Sequence, residues 1–267
     1  LWTLTNLLGA VVVVVWARSA GLLSVQAWQK PLRDTKPHHT SVWIACAVMV
    51  WMTGQVAGSI FLGLTKLTPD TTQMQVMIAA TIYVVSITVG VVLIYLLMAS
   101  APNAGLKTRI TTLFRGFMLL LVAWPVLTIM GILCVYGWFM ITGEKPQNLG
   151  HPTLRSLVDD PTDPWVWALA SLAVIAAPIQ EEIIYRGLLQ SALLRASNRI
   201  WVAVGASSLI FALAHLETVP NHAIPSLFML SVCIGFAFER TRSLGVAIGM
   251  HIAFNAANVA LAILTTQ

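Results

Sequence analysis

Apolar residues gather along this chain in eight blocks, near residues 2–27, 41–66, 73–99, 113–142, 164–194, 199–216, 222–239 and 243–264, with polar and charged residues crowded between them. A helix rising ~1.5 Å per residue needs about 20 apolar residues to cross a hydrocarbon core ~30 Å thick. The pattern therefore predicts an all-α fold, a polytopic transmembrane bundle of about eight membrane helices. The first block holds VVVVVW and then Ala17-Arg18-Ser19-Ala20, which could form the apolar region and cleavage site of a signal peptide. No basic residues precede the valines, so a membrane helix is the expectation. The stretch GEKPQNLGHPTLRSLVDDPTDP, from Gly143 onward, has four prolines and no helical apolar stripe, and predicts a loop. It divides the chain into residues 1–160, N-terminal membrane helices with an acidic loop, and 161–267, a second membrane unit that contains nearly all the polar residues embedded in apolar sequence.

Composition strengthens the membrane assignment. Hydrophobic residues make up 58% of the 267-residue chain and charged residues 9%, with a mean hydropathy of +0.82, whereas soluble domains are roughly 45–50% apolar. The net charge of +5 does not indicate nucleic acid, because the basic residues are spread over short loops and form no stripe. Their order has another meaning. Arg18, Lys30, Arg33 and Lys36 follow the first block, Lys107, Arg109 and Arg115 the third, Arg195 and Arg199 the fifth, and Arg240 and Arg242 the seventh. By the positive-inside rule, these loops face the cytoplasm of a bacterial or archaeal plasma membrane. The intervening loops, with Lys66 and Asp70, then Glu144, Lys145, Arg155, Asp159, Asp160 and Asp163, then Glu217, are neutral to acidic. Trp16, Trp28, Trp43 and Trp165 are expected near the interfaces. Cys46, Cys134 and Cys233 lie apart in apolar runs and read as small buried hydrophobes.

Against this background QEEIIYR, residues 180–186, is anomalous. Unpaired and facing lipid, Glu181, Glu182 and Arg186 would cost on the order of 8–10 kcal/mol, so they must face the interior and find partners. Glu182 and Arg186 are i and i+4 and can pair, which leaves Glu181 about 100° around the helix to face something else. His215 ends the sixth block. His251 and Asn255 share a face of the eighth, and Asn258 extends it. A carboxylate, two imidazoles and a carboxamide in a low-dielectric cavity suit water activation, and carboxylates and imidazoles are also metal ligands. Counted from the basic ends at ~1.5 Å per residue, Glu181, His215 and His251 fall roughly 21, 24 and 13 Å deep, levels that do not coincide.

Glu181-Glu182-x-x-x-Arg186, Phe211-x-x-x-His215, the stretch GFAFERTRSLGVAIGMH and His251-x-x-x-Asn255 resemble, in order and in placement on separate helices, the motifs of the CPBP intramembrane protease family, which includes the CAAX-prenyl endopeptidases. The resemblance covers about residues 165–260 and makes residues 161–267 the CPBP-type catalytic core. It implies an intramembrane endopeptidase acting on a membrane-associated protein or peptide, either prenylated or carrying a leader. Glu181 would be the general base, with His215 assisting at the water; His251 and Asn255 would stabilise the oxyanion, while Glu182 and Arg186 orient the set. No cofactor is required by this resemblance. A divalent metal such as zinc, if used, would take Glu181, His215 and His251. Tyr185 departs from the commoner Phe before the arginine and removes no catalytic group.

Two rival readings fit parts of the pattern. A proton-coupled transporter also uses intramembrane Glu and His, and differs in needing a polar path through the bundle. A non-catalytic immunity or scaffold protein would keep the fold without turnover. Glu182 with Arg186 can equally be a structural ion pair, and His251 with Asn255 interhelical glue. His38, His39 and His222 read as loop residues, Asp159, Asp160 and Asp163 as a solvated acidic loop, and Gly235, Gly245 and Gly249 as points of close helix approach. The sequence sets no oligomeric state.

Overall fold

The computed structural model describes residues 2–22, 24–29, 31–65, 71–144 and 152–266. Lys30, Lys66, Asp70 and Lys145 lie outside the described residues, as does the side chain of Trp16. Every regular element among the described residues is helical: α1 (Trp2–Ser19), α2 (Val25–Gln29), α3 (Thr40–Thr65), α4 (Thr72–Ser100), α5 (Ile110–Thr142), α6 (Pro152–Asp159), α7 (Pro164–Ser197), α8 (Ile200–Leu213), α9 (Ile224–Thr241) after one 3-10 turn, and α10 (Leu244–Thr266). Six of them, α3, α4, α5, α7, α9 and α10, are long and apolar enough to cross a membrane, and Thr5–Ser19 and α8 are shorter apolar helices. The chain is an integral, multi-pass membrane protein.

Three boundaries differ from the blocks. The first block breaks after Ser19 in a turn where Gly21 adopts φ +69°, and resumes only as the short α2. The sixth ends at Leu213, ahead of a run of turns. The acidic stretch is partly helical, because Leu157 of α6 has a place to go, packing with Val166 and Ala170 of α7 and Val259 and Ile263 of α10. The aspartates here organise chain ends. Asp163 caps α7 by accepting from the Trp165 amide at 2.8 Å. The hydroxyl and amide of Thr162 hold the Asp160 carboxyl below its usual range.

The N-terminal and C-terminal helices form one packed body. α3 lies along α4, α5 along α10, and both α3 and α4 reach α7. Gly116 of α5 and Gly249 of α10 bring two backbones into contact, since a Cβ on Gly249 would overlap the main chain of Leu113, and one on Gly116 that of Val246 and Met250. Large apolar side chains on the outer faces of α3, α4 and α5, such as Trp51, Tyr95 and Met140, are exposed, as a lipid-facing surface requires.

At one end the loops after α2, α4, α7 and α9 are bound together. Asp34 N donates to Asn103 O, Leu244 N to Gly105 O, Ser243 Oγ to Lys107 O, and Arg195 Nε to His38 O. These are the basic loops, so the basic residues do gather at one end. Two members differ from expectation. Trp43 is fully buried rather than interfacial, its indole donating to Thr35 O. Arg33 is also buried: its guanidinium grips both carboxylate oxygens of Glu239, at 3.0 and 2.5 Å, donates to Ala104 O and Ser191 Oγ, and lies 4.0 Å over the Phe238 ring.

Candidate active site

Helix α7 carries the two glutamates and is not regular. It contains two π-helical stretches, Leu172–Ala176 before the glutamates and Ile183–Leu189 after them. Such turns are frequent at functional sites. Pro178 accounts for part of the first. Ala177 N donates to Leu172 O, five residues back. The same register would pair Ala173 O with the nitrogen of Pro178, which has no hydrogen. Asn255 Nδ2 supplies the missing donor, reaching Ala173 O at 2.9 Å. The proline and the asparagine thus belong to one arrangement, which fixes α10 against α7 just before Glu181.

Glu182 and Arg186 are both fully buried and form the expected i, i+4 pair at 2.8 Å. The same oxygen of Glu182 meets His251 Nδ1 at 2.7 Å. Arg186 also donates to the Ser231 hydroxyl and carbonyl on α9, at 2.8 and 3.2 Å, and lies 4.8 Å over the Phe211 ring. One ion pair therefore ties α7, α8, α9 and α10 together. Phe211, the aromatic residue ahead of His215, sits among the functional side chains, 4.5 Å from the His215 ring and 5.8 Å from that of His251.

Glu181 faces the other way and meets both histidines. Its Oε1 lies 3.9 Å from His215 Nε2, and its Oε2 lies 3.7 Å from His251 Nε2. His215 Nδ1 is 2.8 Å from Phe211 O, and His251 Nδ1 is bonded to the Glu182 carboxylate. Both partners are acceptors, so each Nδ1 carries a proton, and each Nε2 faces Glu181, as an acceptor when the ring is neutral and as a donor when it carries both protons. The side chains of Glu181 and His215 retain 24% and 22% exposure, while His251 keeps 4%.

The three groups meet although their counted depths disagreed. The first turn of α10 is buried, with Leu244 N donating to Gly105 O. The π stretch at Ile183–Leu189 also advances less per residue than an α-helix. Asn255 is close by on α10 but spends one amide hydrogen on Ala173 O, leaving one. Asn258 turns away, donating to Phe254 O. Among the described residues no group of three or more His, Cys, Asp or Glu side chains is arranged to hold a metal ion.

Several partners of the site have no sequence signal that marks them as such. Ser231 carries no motif. Tyr83 of α4 and Tyr185 both stand within electrostatic reach of Glu181. Gln190 donates to Glu239 at 2.7 Å and to Gly235 O at 3.1 Å, and its oxygen accepts from Ser207. Together with Arg33 these groups form a second buried polar layer, nearer the basic loops. Only Glu239, a glutamate near the end of an apolar block, offered a signal.

No curated protein and no solved structure matches the chain. Residues 163–257, from the cap of α7 into α10, match the family model for type II CAAX prenyl endopeptidases, Rce1-like, in agreement with the CPBP family whose motifs the sequence resembles.

Proposed function

We propose that this protein is an intramembrane endopeptidase in which Glu181 activates water against a peptide bond of a membrane-associated substrate. The family match supports peptidase activity of the CAAX type. The observation that carries the catalytic assignment is the pair of gaps between Glu181 and the two Nε2 atoms, 3.9 and 3.7 Å. Each is too long for a direct hydrogen bond and suits a shared water.

A water in that position donates one proton to the Glu181 carboxylate and the other to His215 Nε2, and turns a lone pair toward the substrate carbonyl. As its oxygen bonds to the carbonyl carbon, Glu181 takes the first proton and the carbonyl oxygen becomes an oxyanion. Donors for that charge are the free amide hydrogen of Asn255 and His251 Nε2–H, when His251 carries both protons and its Nδ1–H is held by Glu182. Collapse breaks the C–N bond, and the Glu181 carboxyl passes its proton to the leaving amine. Arg186 and Glu182 touch no substrate here; they hold His251 in place. No step runs through a metal ion.

The polar groups beneath Glu181 favour this reading over a transporter. Beyond Glu181 toward the basic end, the polar residues are buried and bonded to one another, with no file of exposed groups among the described residues.

The test is cleavage of a mixed membrane-peptide library by purified protein in liposomes, read by mass spectrometry in ¹⁸O-water, with and without chelator. Products with one ¹⁸O in the new carboxylate that survive chelation are expected. Loss on chelation would replace the glutamate-held water with a metal-held one, and no products from any peptide would favour the immunity or scaffold reading.

A further inference from the structure

Away from the catalytic groups, the basic end carries a recess of its own. The loop after α2 and the last turn of α7 enclose a hollow of about 70 Å³, whose lining includes Arg33, Thr35, Lys36, Leu194, Arg195 and Asn198. Leu194 and Arg33 are buried, and the charge of Arg33 is already matched by Glu239. The other polar groups are not matched. Lys36 and Arg195 form no ion pair among the described residues, and Arg195 spends only Nε, on His38 O, keeping both Nη groups. Asp34, the acid nearest them in sequence, accepts from the Lys36 amide at 3.0 Å and does not line the recess.

Thr35 is the sharper observation. It is 3% exposed and its carbonyl accepts from the Trp43 indole, yet its hydroxyl has no hydrogen-bond partner among the described residues. A buried hydroxyl left unpaired is costly, so it marks a place where a partner is received. Asn198, which ends α7 at φ 52°, adds an exposed carboxamide with no partner among the described residues. Two cations, a hydroxyl and a carboxamide around one small hollow suit the oxygens of a phosphate group. The guanidinium and ammonium supply charge-assisted hydrogen bonds, and the hydroxyl and amide supply neutral ones.

The surroundings say which phosphate. Leu32, between two lining residues, is exposed, as is Val25 of α2. α2 itself is laid against the bundle by Trp28, stacked on Phe236 at 4.1 Å. Apolar side chains held outward beside a basic recess offer cover for acyl chains, and basic pockets between membrane helices take anionic lipid headgroups.

We propose that this recess binds the phosphate group of an anionic phospholipid, held by Thr35, Lys36, Arg195 and Asn198, which bridges the loop after α2 to the end of α7. Nothing in this site depends on the peptidase reading.

The test is titration of the full chain, purified in an uncharged detergent, with dioleoyl phosphatidylglycerol or with zwitterionic dioleoyl phosphatidylcholine, one-to-one adducts being counted by native mass spectrometry. Phosphatidylglycerol should bind at least about tenfold more tightly. Lys36→Gln with Arg195→Gln should lose about tenfold or more of that affinity, whereas Lys107→Gln with Arg115→Gln, an equal loss of charge outside the recess, should lose less than about threefold. Thr35→Val keeps charge and shape and should cost about threefold or more. Equal binding of the two lipids, equal losses from the two charge pairs, or full binding by Thr35→Val would overturn the proposal. Melting temperatures check that each variant is folded. If Arg195→Gln releases the loop at His38 and fails that check, Lys36→Gln and Thr35→Val decide the matter. In a second arm, excess inorganic phosphate should leave the phosphatidylglycerol adduct in place. Displacement that Thr35→Val abolishes would assign the recess to soluble phosphate and overturn the lipid.

Discussion

At the scale of single residues, three charges in one apolar helix divide their work. Glu182 and Arg186 pair with one another, and through His251, Ser231 and the Phe211 ring they hold three other helices. Glu181, with no such partner, faces the imidazoles. Arg186→Ala should destabilise the protein by about 3–5 kcal/mol, because it strands a buried carboxylate. Arg186→Met with Glu182→Gln should recover part of that loss, as measured by thermal melting in detergent. Asn255→Ala removes the proposed oxyanion donor and the partner of Ala173 O. It should lower both the melting temperature and the cleavage rate, the rate by about 10²–10³. The Glu182–Arg186 pair was legible in the sequence because its two members share one helix at a fixed spacing. The bond from Arg33 to Glu239 spans 206 residues of chain, and no local pattern encodes it. Arg33 sits among loop cations that the sequence does not tell apart; one of them is drawn inward because Glu239 has no other strong cation.

At the scale of elements, block lengths foretold the helices well, since apolar length is what a bilayer demands. The π stretches of α7 were not foretold, although Pro178 marked where one would fall. Pro178→Ala restores an amide and lets this part of α7 return to α-helical register, rotating Glu181 away from α8 and α10. The expected outcome is a large loss of cleavage with no loss of melting temperature. A fall in melting temperature with activity kept would contradict the link drawn between the π turn and the site. The α5–α10 contact gives a second contrast. Gly249→Ala drives a methyl group into the Leu113 backbone and should lower the melting temperature, whereas Gly137→Ala on α5, with open space around it, should leave it equal or higher through helix propensity. All three glycines expected to allow close approach do so, Gly235 against Gln190 and Val204, Gly245 against Thr112 and Gly249 against Leu113.

At the scale of the whole molecule, basic loops hydrogen-bonded to one another close one end. The gathering of the basic loops at one end was legible from the order of Lys and Arg along the chain, while the buried polar layers beneath Glu181 were not, because they depend on which helices stack against α7. A fluorescent protein inserted after Lys36 should therefore fluoresce in cells, and alkaline phosphatase inserted at Thr162 should be active. The reverse pattern would invert the orientation expected from the basic loops.

Activation of the attacking water by Glu181 is tested by single-turnover cleavage with Glu181→Gln. With melting temperature and substrate affinity unchanged, the rate should fall by about 10²–10⁴, the usual contribution of a general base. A folded Glu181→Gln variant that binds substrate and cleaves it at the parent rate would contradict the account.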